Sequence, residues 1–535
     1  MPGRIASAGV AGETPRSISW QQCFDAKGAW TVTLRCLYVS SEVTGFAKTG
    51  GLADVAASLP RALAQRGVEV AVIMPLYRSV RQGPHTLTPT RHELRIPIGN
   101  RAVGGRLWQT TLPGCAVPVY LVEQADYFER DDPALGRGIY QMTDAIGQKV
   151  DYPDNCERFV FFCRAVLEAI RALGLRPDVL HLNDWQSGLV AVYLRELHRN
   201  QARGSYASIR TLFTIHNLAY QGLFWHFDMP LLGLPWRLFT PEKLEYYGKV
   251  NFLKAGLVYA DQLNTVSPTY AKEIQTPYYG SGLQGVLLQR SNRLSGIVNG
   301  IDDDSWNPAS DPHLAAKYDV TTVAANKPIC KQALQAHFGL EARADAPLLG
   351  MVSRLATQKG LGLVEKVLAL FLKQGAQFVV LGDGEKPFHD MLLEAKQRYP
   401  RQIGLHFGFS EPLAHQIEAG ADIFLMPSQY EPCGLNQLYS LKYGAVPVVR
   451  ATGGLADTVT DATPDNLAAG KATGFVFAPY TAQAFTEALN RALHVFRDDP
   501  HAWRQIQQTG MLQDWSWNRS AAEYEKLYRA LVAEV

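Results

Sequence analysis

Arg354 and Lys359 stand five residues apart in Val352-Ser353-Arg354-Leu355-Ala356-Thr357-Gln358-Lys359-Gly360, after an apolar run and ahead of a glycine. An arginine fork beside a lysine point charge can grip a diphosphate, the first by paired hydrogen bonds and the second by charge. Two solvated surface cations would share this spacing, and on spacing alone that is the simpler reading. Glu431-Pro432-Cys433-Gly434-Leu435-Asn436 also follows an apolar run and opens a helical pattern (Leu435, Leu438, Leu441). The N–H groups of Gly434, Leu435 and Asn436 would then face an anion, with Glu431 held nearby. A plain turn with a capped helix fits that stretch equally well.

A third candidate is Lys48-Thr49-Gly50-Gly51-Leu52-Ala53-Asp54-Val55. Paired glycines between a strand and a helix keep side chains away from a bound phosphate, and Lys48 adds charge at the rim. It falls short of a full G-x-G-x-x-G or P-loop pattern, so a tight connection would also explain it. His216 and Asn217 end the run Arg210–Ile215; a lone histidine there is more often structural. Asp184 beside Trp185 pairs a carboxylate with an aromatic face, which suits sugar hydroxyls, and a helix N-cap suits it as well. Tyr220, Phe224, Trp225 and Phe227 would line an acceptor groove or a core. Gly382 opens Gly382-Asp383-Gly384-Glu385 after the run Phe378–Leu381. No His/Asp/Glu cluster has metal-ligand spacing.

These residues need a scaffold that presents strand ends. From Leu34 to about Asn299, strand-like runs (34–40, 68–75, 117–122, 177–182, 210–215) alternate with helical stripes. A second series (348–353, 378–381, 422–427, 446–450) follows. Alternation of this kind means α/β architecture with parallel sheets, which bind ligands at their carboxyl ends. We expect an N-terminal domain over 34–298 and a C-terminal domain over 299–515, hinged near Asn299. A C-terminal helix over 516–535, with Tyr524, Leu527, Tyr528 and Leu531 inward, is a candidate to cross back to the first domain. Thr49-Gly50-Gly51-Leu52-Ala53-Asp54 recurs letter for letter as Thr452-Gly453-Gly454-Leu455-Ala456-Asp457. Two similar loops facing one cleft would account for the repeat, as would shared turn geometry.

At 535 residues the chain exceeds what one core supports. Its 47% hydrophobic and 19% charged residues are those of a globular protein. The 52 basic and 50 acidic residues nearly cancel, which argues against nucleic-acid and membrane partners. Seven cysteines without C-x-x-C spacing read as thiols in a reducing compartment. Residues 1–33 lack an apolar signal core and are expected to be a disordered extension.

Taken together the motifs closely resemble the ADP-glucose-dependent glycogen/starch synthase family of bacteria. The resemblance rests on Lys48–Val55; Asp154-Asn155 with Glu157-Arg158-Phe159; Asp184-Trp185-Gln186; Ile215–Gly222; Asn251–Gly256; Thr265–Pro268; Asn299–Asp302; Ser353–Gly360; Glu431–Leu435; and Thr452–Asp457, in family order. It implies a GT-B fold, two Rossmann-like domains facing a cleft. It implies transfer of glucose from ADP-α-glucose to the non-reducing end of an α-1,4-glucan with retention, and no cofactor or metal.

By resemblance Lys48, Gly50 and Gly51 hold donor phosphate from one side. Arg354, Lys359 and the N–H groups after Cys433 meet it from the other, in a donor site that also takes in Gly382. Glu431 contacts donor hydroxyls, and His216, Asp184 and Asn299 position the sugar and acceptor. Partners are then ADP-glucose and a glycogen or malto-oligosaccharide primer, in the cytoplasm, with a plastid left open by the extension and the oligomeric state unassigned. Two departures stand out: Tyr439 occupies a place where wider GT-B relatives often carry a second acid, and His181-Leu182-Asn183 precedes Asp184 in place of the usual second histidine pattern. A transferase using UDP-glucose or another sugar nucleotide, a sugar-nucleotide epimerase and an inactive glucan-binding scaffold remain the alternatives.

Overall fold

The computed structural model describes residues 23–24, 30–31, 33–198 and 206–534. The extension expected over 1–33 lies outside the described residues, apart from Thr33 and a short antiparallel pair, Cys23–Phe24 with Trp30–Thr31.

The apolar runs build two mainly parallel sheets. The first comprises β1 Arg35–Val39, β2 Glu69–Pro75, β3 Thr88–Ile98, β4 Arg101–Thr111, β5 Pro118–Glu123, β6 Val179–Asn183, β7 Arg210–Ile215, β8 Gln262–Thr265 and β9 Leu294–Gly296. Their spatial order is β9-β8-β7-β6-β1-β2-β5-β4-β3. Helices cover both faces of the parallel part, so its strands are buried on both sides and read as continuous apolar runs. The β3–β4 hairpin, which pairs antiparallel at one edge, went unanticipated. The second sheet comprises β10 Leu348–Val352, β11 Gln377–Gly382, β12 Ile403–Phe407, β13 Ile423–Met426, β14 Val446–Arg450 and β15 Phe475–Phe477. It is wholly parallel in the order β12-β11-β10-β13-β14-β15.

Strand order reverses between β1 and β6 in the first sheet and between β10 and β13 in the second. A crevice opens at such a reversal because the connections leave in opposite directions, and ligands bind there. The loops leaving those four strands carry Lys48 and Gly50, Asp184, Arg354 and Lys359, and Glu431. Helix α1 (Gly51–Gln65) follows the first loop and buries Leu52, Val55, Leu59 and Leu63 against the sheet. Helix α2 (Asn155–Ala172) and helix α3 (Asp184–Tyr193) lie in the same core.

Two strands of chain cross between the domains, and they run side by side. Ile301 N–H donates to the Trp515 carbonyl at 2.8 Å. A Cβ at Gly300 would come within 2.6 Å of the Trp517 backbone, so the crossing needs a glycine. The last helix, Trp517–Ala533, packs on the first domain: Tyr528 Oη lies 2.6 Å from His181 Nδ1, and Asn264 Nδ2 donates to Tyr524 Oη at 2.9 Å. Among the described residues no helix is long and apolar enough to cross a membrane.

Candidate active site

In the second domain, β10 ends in Ser353-Arg354 and a single 3-10 turn, Thr357–Lys359, aims Lys359 back at the loop after β13. Lys359 Nζ sits 2.6 Å from Glu431 Oε2, and Ser428 Oγ donates to the same oxygen at 3.0 Å. These groups line a cavity of about 180 Å³ together with Arg354, Gly434, Leu435 and Asn436. Six of the residues singled out in sequence thus meet around one polar hollow. Helix Asn436–Tyr443 starts at its edge. Gly434 takes φ +74°, and a Cβ there would strike the Gln437 side chain.

Cys433, Asn299 and Gly382 stand behind this surface. Burial pushes the Cys433 thiol up to about 12, opposed by a hydrogen bond from the Asn299 backbone. Asn299 Oδ1 is buried without a hydrogen-bond partner among the described residues. A Cβ on Gly382 would lie 1.8 Å from the Ser353 carbonyl, so that glycine permits close approach of β11 to the Arg354 loop.

Across the cleft the Gly-rich turn differs from the open cradle that its sequence suggests. The N–H groups of Thr49 and Gly50 donate to Glu42 Oε2 at 2.5 and 3.1 Å, and Thr49 Oγ1 donates to Oε1 at 2.9 Å. The anion at this turn is therefore an internal carboxylate. Burial pushes the Glu42 carboxyl above the ordinary carboxylate range, opposed by the Thr49 and Gly50 hydrogen bonds. Space above the turn is open, since a Cβ at Gly50 or Gly51 would meet nothing within 4 Å. Lys48 remains half-exposed at the rim, 2.6 Å from Asp54 Oδ1.

Asp184 and His216 form one unit rather than two. Asp184 Oδ1 accepts the His216 backbone N–H at 2.8 Å, and Asp184 holds φ +52°, a strained left-handed conformation for a residue with a side chain. Burial pushes its carboxyl up to about 7. His216 Nε2 lies 2.9 Å from Asn183 Oδ1. The Asn183 amide already donates to the Val39 and His181 carbonyls, so His216 must be the donor and its Nδ1 the acceptor. Burial lowers the imidazole to about 3, which keeps it neutral at ordinary pH. Trp185 offers no open face to a sugar. Its ring is 9% exposed and lies under Gly222 and against Phe159. Trp225 and Phe227 are exposed, and Phe224 packs in the core instead.

Arg354 Nη1 reaches Tyr220 Oη at 3.4 Å, so a cation from one domain touches an aromatic from the other. Phe409 was missed in sequence. It is 84% exposed just past β12, beside Gly382, whose carbonyl accepts the Gly408 N–H. An aromatic directly after Gly408, at the end of the run Ile403–Phe407, is the sequence signal that would have found it.

Comparison with known proteins decides among the readings this geometry allows. A model described as the starch synthase catalytic domain matches residues 35–289, and one for group 1 glycosyl transferases matches residues 334–508. A glycogen synthase of Anaeromyxobacter dehalogenans is 50% identical over 93% of this chain and all of its own length. The chain belongs to the glycogen synthase family. A glycogen synthase of Syntrophotalea carbinolica is 48% identical, covering 93% of this chain and 99% of the relative. The catalytic domain of starch synthase IV from Arabidopsis thaliana, solved bound to ADP and acarbose, superposes with a TM-score of 0.83 at 32% identity, covering 94% of this chain and all of that one. The protein is thus a glycosyltransferase of the glycogen/starch synthase type with the GT-B fold, and the scaffold alternative falls away.

Proposed function

We propose that this enzyme transfers glucose from ADP-α-glucose to the non-reducing end of an α-1,4-glucan with retention. The observation that carries the reading is the polar hollow where Arg354, Lys359 and Glu431 converge at a strand-order reversal. Breaking the bond to a diphosphate builds negative charge on the leaving group while the sugar becomes oxocarbenium-like. Arg354, Lys359 and the N–H groups of Gly434, Leu435 and Asn436 would stabilise that charge, with Lys48 arriving from the other domain on closure. The exposed Phe409 ring suits stacking of the base. That the Arabidopsis enzyme was solved with ADP supports an adenine nucleotide, and its acarbose supports a glucan acceptor. The exposed Trp225 and Phe227 would flank that acceptor.

Glu431 is held by Lys359 and Ser428, which suits a carboxylate that accepts donor hydroxyls better than one that attacks carbon. We therefore assign departure and attack to the same face of the sugar, with the leaving phosphate drawing the proton from the acceptor hydroxyl. The cations supply the charge that a metal supplies elsewhere, so the reaction is assigned no cofactor. Free thiols at Cys36, Cys115, Cys156, Cys163, Cys330 and Cys433 suit a cytoplasmic setting. The test is release of nucleoside diphosphate from ADP-glucose and from UDP-glucose, with and without glycogen and with and without a chelator. Glycogen-dependent release from ADP-glucose that survives chelation is expected. Preference for UDP-glucose would overturn the donor, and a trapped glucosyl-enzyme would overturn the same-face route.

A further inference from the structure

The repeated Thr-Gly-Gly-Leu-Ala-Asp segment does the same job twice, with partners from different places. In the first copy the Thr49–Gly50 end holds the Glu42 carboxylate, and Asp54 Oδ1 accepts from Thr44 Oγ1 at 2.8 Å. Both partners come from the same loop. In the second copy Thr452 Oγ1 and Gly453 N–H donate to the two oxygens of Glu273, each at 3.0 Å. Asp457 accepts the N–H and Oγ1 of Thr269 at 2.9 and 2.6 Å. Here a carboxylate and a threonine again answer the motif, but both belong to the short helix Pro268–Glu273 of the first domain. Four hydrogen bonds to carboxylate oxygens therefore join the domains at this point.

What lies on either side of this contact gives it a purpose. Gly454 N–H donates to the carbonyls of Glu431 and Pro432 at 3.2 and 3.1 Å. Gly453 has φ +43°, and a Cβ there would fall 1.9 Å from the Glu431 carbonyl. The second copy is thus pressed directly against the loop that carries Glu431. On the other side, Tyr270 Oη accepts the N–H of Leu218, two residues beyond His216. One helix of six residues consequently holds the His216 loop through Tyr270 and the Glu431 loop through Thr269 and Glu273.

We propose that Pro268–Glu273 is a strut that sets the register between the two halves of the active site, with Glu273 and Thr269 as positioning residues for the transfer step. Neither touches the cavity that holds Lys359 and Glu431, and their effect runs through the helix Gly453–Thr458. Loss of the strut leaves the nucleotide-facing groups of the second domain intact but lets the His216 side drift. Misplacement of about 1 Å can cost about a hundredfold in rate.

Glu273→Gln and Thr269→Val, each made in the full-length protein, test this. Both should lower kcat at least about tenfold while ADP Kd, read by calorimetry, stays within about threefold of the unaltered enzyme. Glu273→Gln combined with Thr452→Val should be no worse than the worse single change, because both break one contact. Lys272→Ala, an exposed neighbour on the same helix, should be indistinguishable from the unaltered enzyme. A kcat within about twofold of normal in both strut variants would overturn the proposal. So would parallel losses of kcat and ADP affinity, which would mark general damage to the second domain, and so would additive effects in the double variant.

Discussion

Lys359 Nζ lies 2.6 Å from Glu431 Oε2, with the two side chains only 18% and 8% exposed. Two ions this far out of water need each other. Removing one strands the other at a cost of several kcal/mol, whereas a solvated surface pair is worth at most about 1 kcal/mol. The pair also faces the cavity, so Lys359 is available to a diphosphate without leaving its partner.

Lys359→Ala should therefore lower kcat by about 10²–10³, the scale for loss of one donor that stabilises developing charge. Lys359→Arg should recover part of that, because the charge returns on a wider head group. Steady-state kinetics with glycogen as acceptor checks both, and a loss under fivefold for Lys359→Ala would place the pair outside the chemistry.

The two copies of the repeat differ in what their glycines must do. A Cβ at Gly50 meets nothing within 4 Å on extended backbone at φ −156°, whereas at Gly453 it would fall 1.9 Å from the Glu431 carbonyl at φ +43°. Gly453→Ala should destabilise the protein by about 1–3 kcal/mol and nearly abolish transfer, through strain and displacement of Glu431. Gly50→Ala should leave the melting temperature unchanged or slightly raised and should raise the KM for donor. Thermal melts beside donor titrations separate the two.

Asp184 should make stability fall as pH rises. Burial holds its folded carboxyl at about 7, above the ordinary value of about 3.9, so between these pH values the folded form keeps a proton that the unfolded form has lost. Stability is then fully present below about pH 4 and declines through about pH 7, by up to about 4 kcal/mol. Asp184→Asn keeps an oxygen for the His216 N–H, tolerates φ +52° and cannot titrate. Its stability advantage over the unaltered protein should grow from pH 4 to pH 7. Denaturant melts across that range check it, and a constant difference would refute the assignment.

The sequence was most legible where burial is two-sided. β1, β2, β6 and β14 read directly because they are buried from at latest their second residue onward, and α1 read from one stripe. The β3–β4 hairpin did not, because Arg91, Glu93 and Arg95 interrupt an edge that is wet on one face. Among site residues, Arg354, Lys359 and Glu431 announced themselves by charge beside glycine at strand ends. Glu42 and Glu273 carried no such signal. A glutamate in a loop looks solvated until the fold brings a backbone N–H to it. Trp185 misled in the opposite way, since an aromatic beside an acid reads as a sugar platform until Gly222 is seen lying on its ring.

Lys48 is the remaining group whose role can be separated from folding. Its ammonium is half-exposed, and its only ion pair among the described residues is with Asp54, whose side chain is 26% exposed. A pair so open to solvent contributes at most about 1 kcal/mol, so Lys48→Ala should melt within a few degrees of the unaltered protein. If Lys48 meets donor phosphate when the domains close, the same change should raise the KM for ADP-glucose by about tenfold or more. The KM for glycogen should move little, because the acceptor-side aromatics and His216 are untouched. Parallel titrations of donor and acceptor check this, and an equal rise in both constants would mean that Lys48 acts on domain closure as a whole.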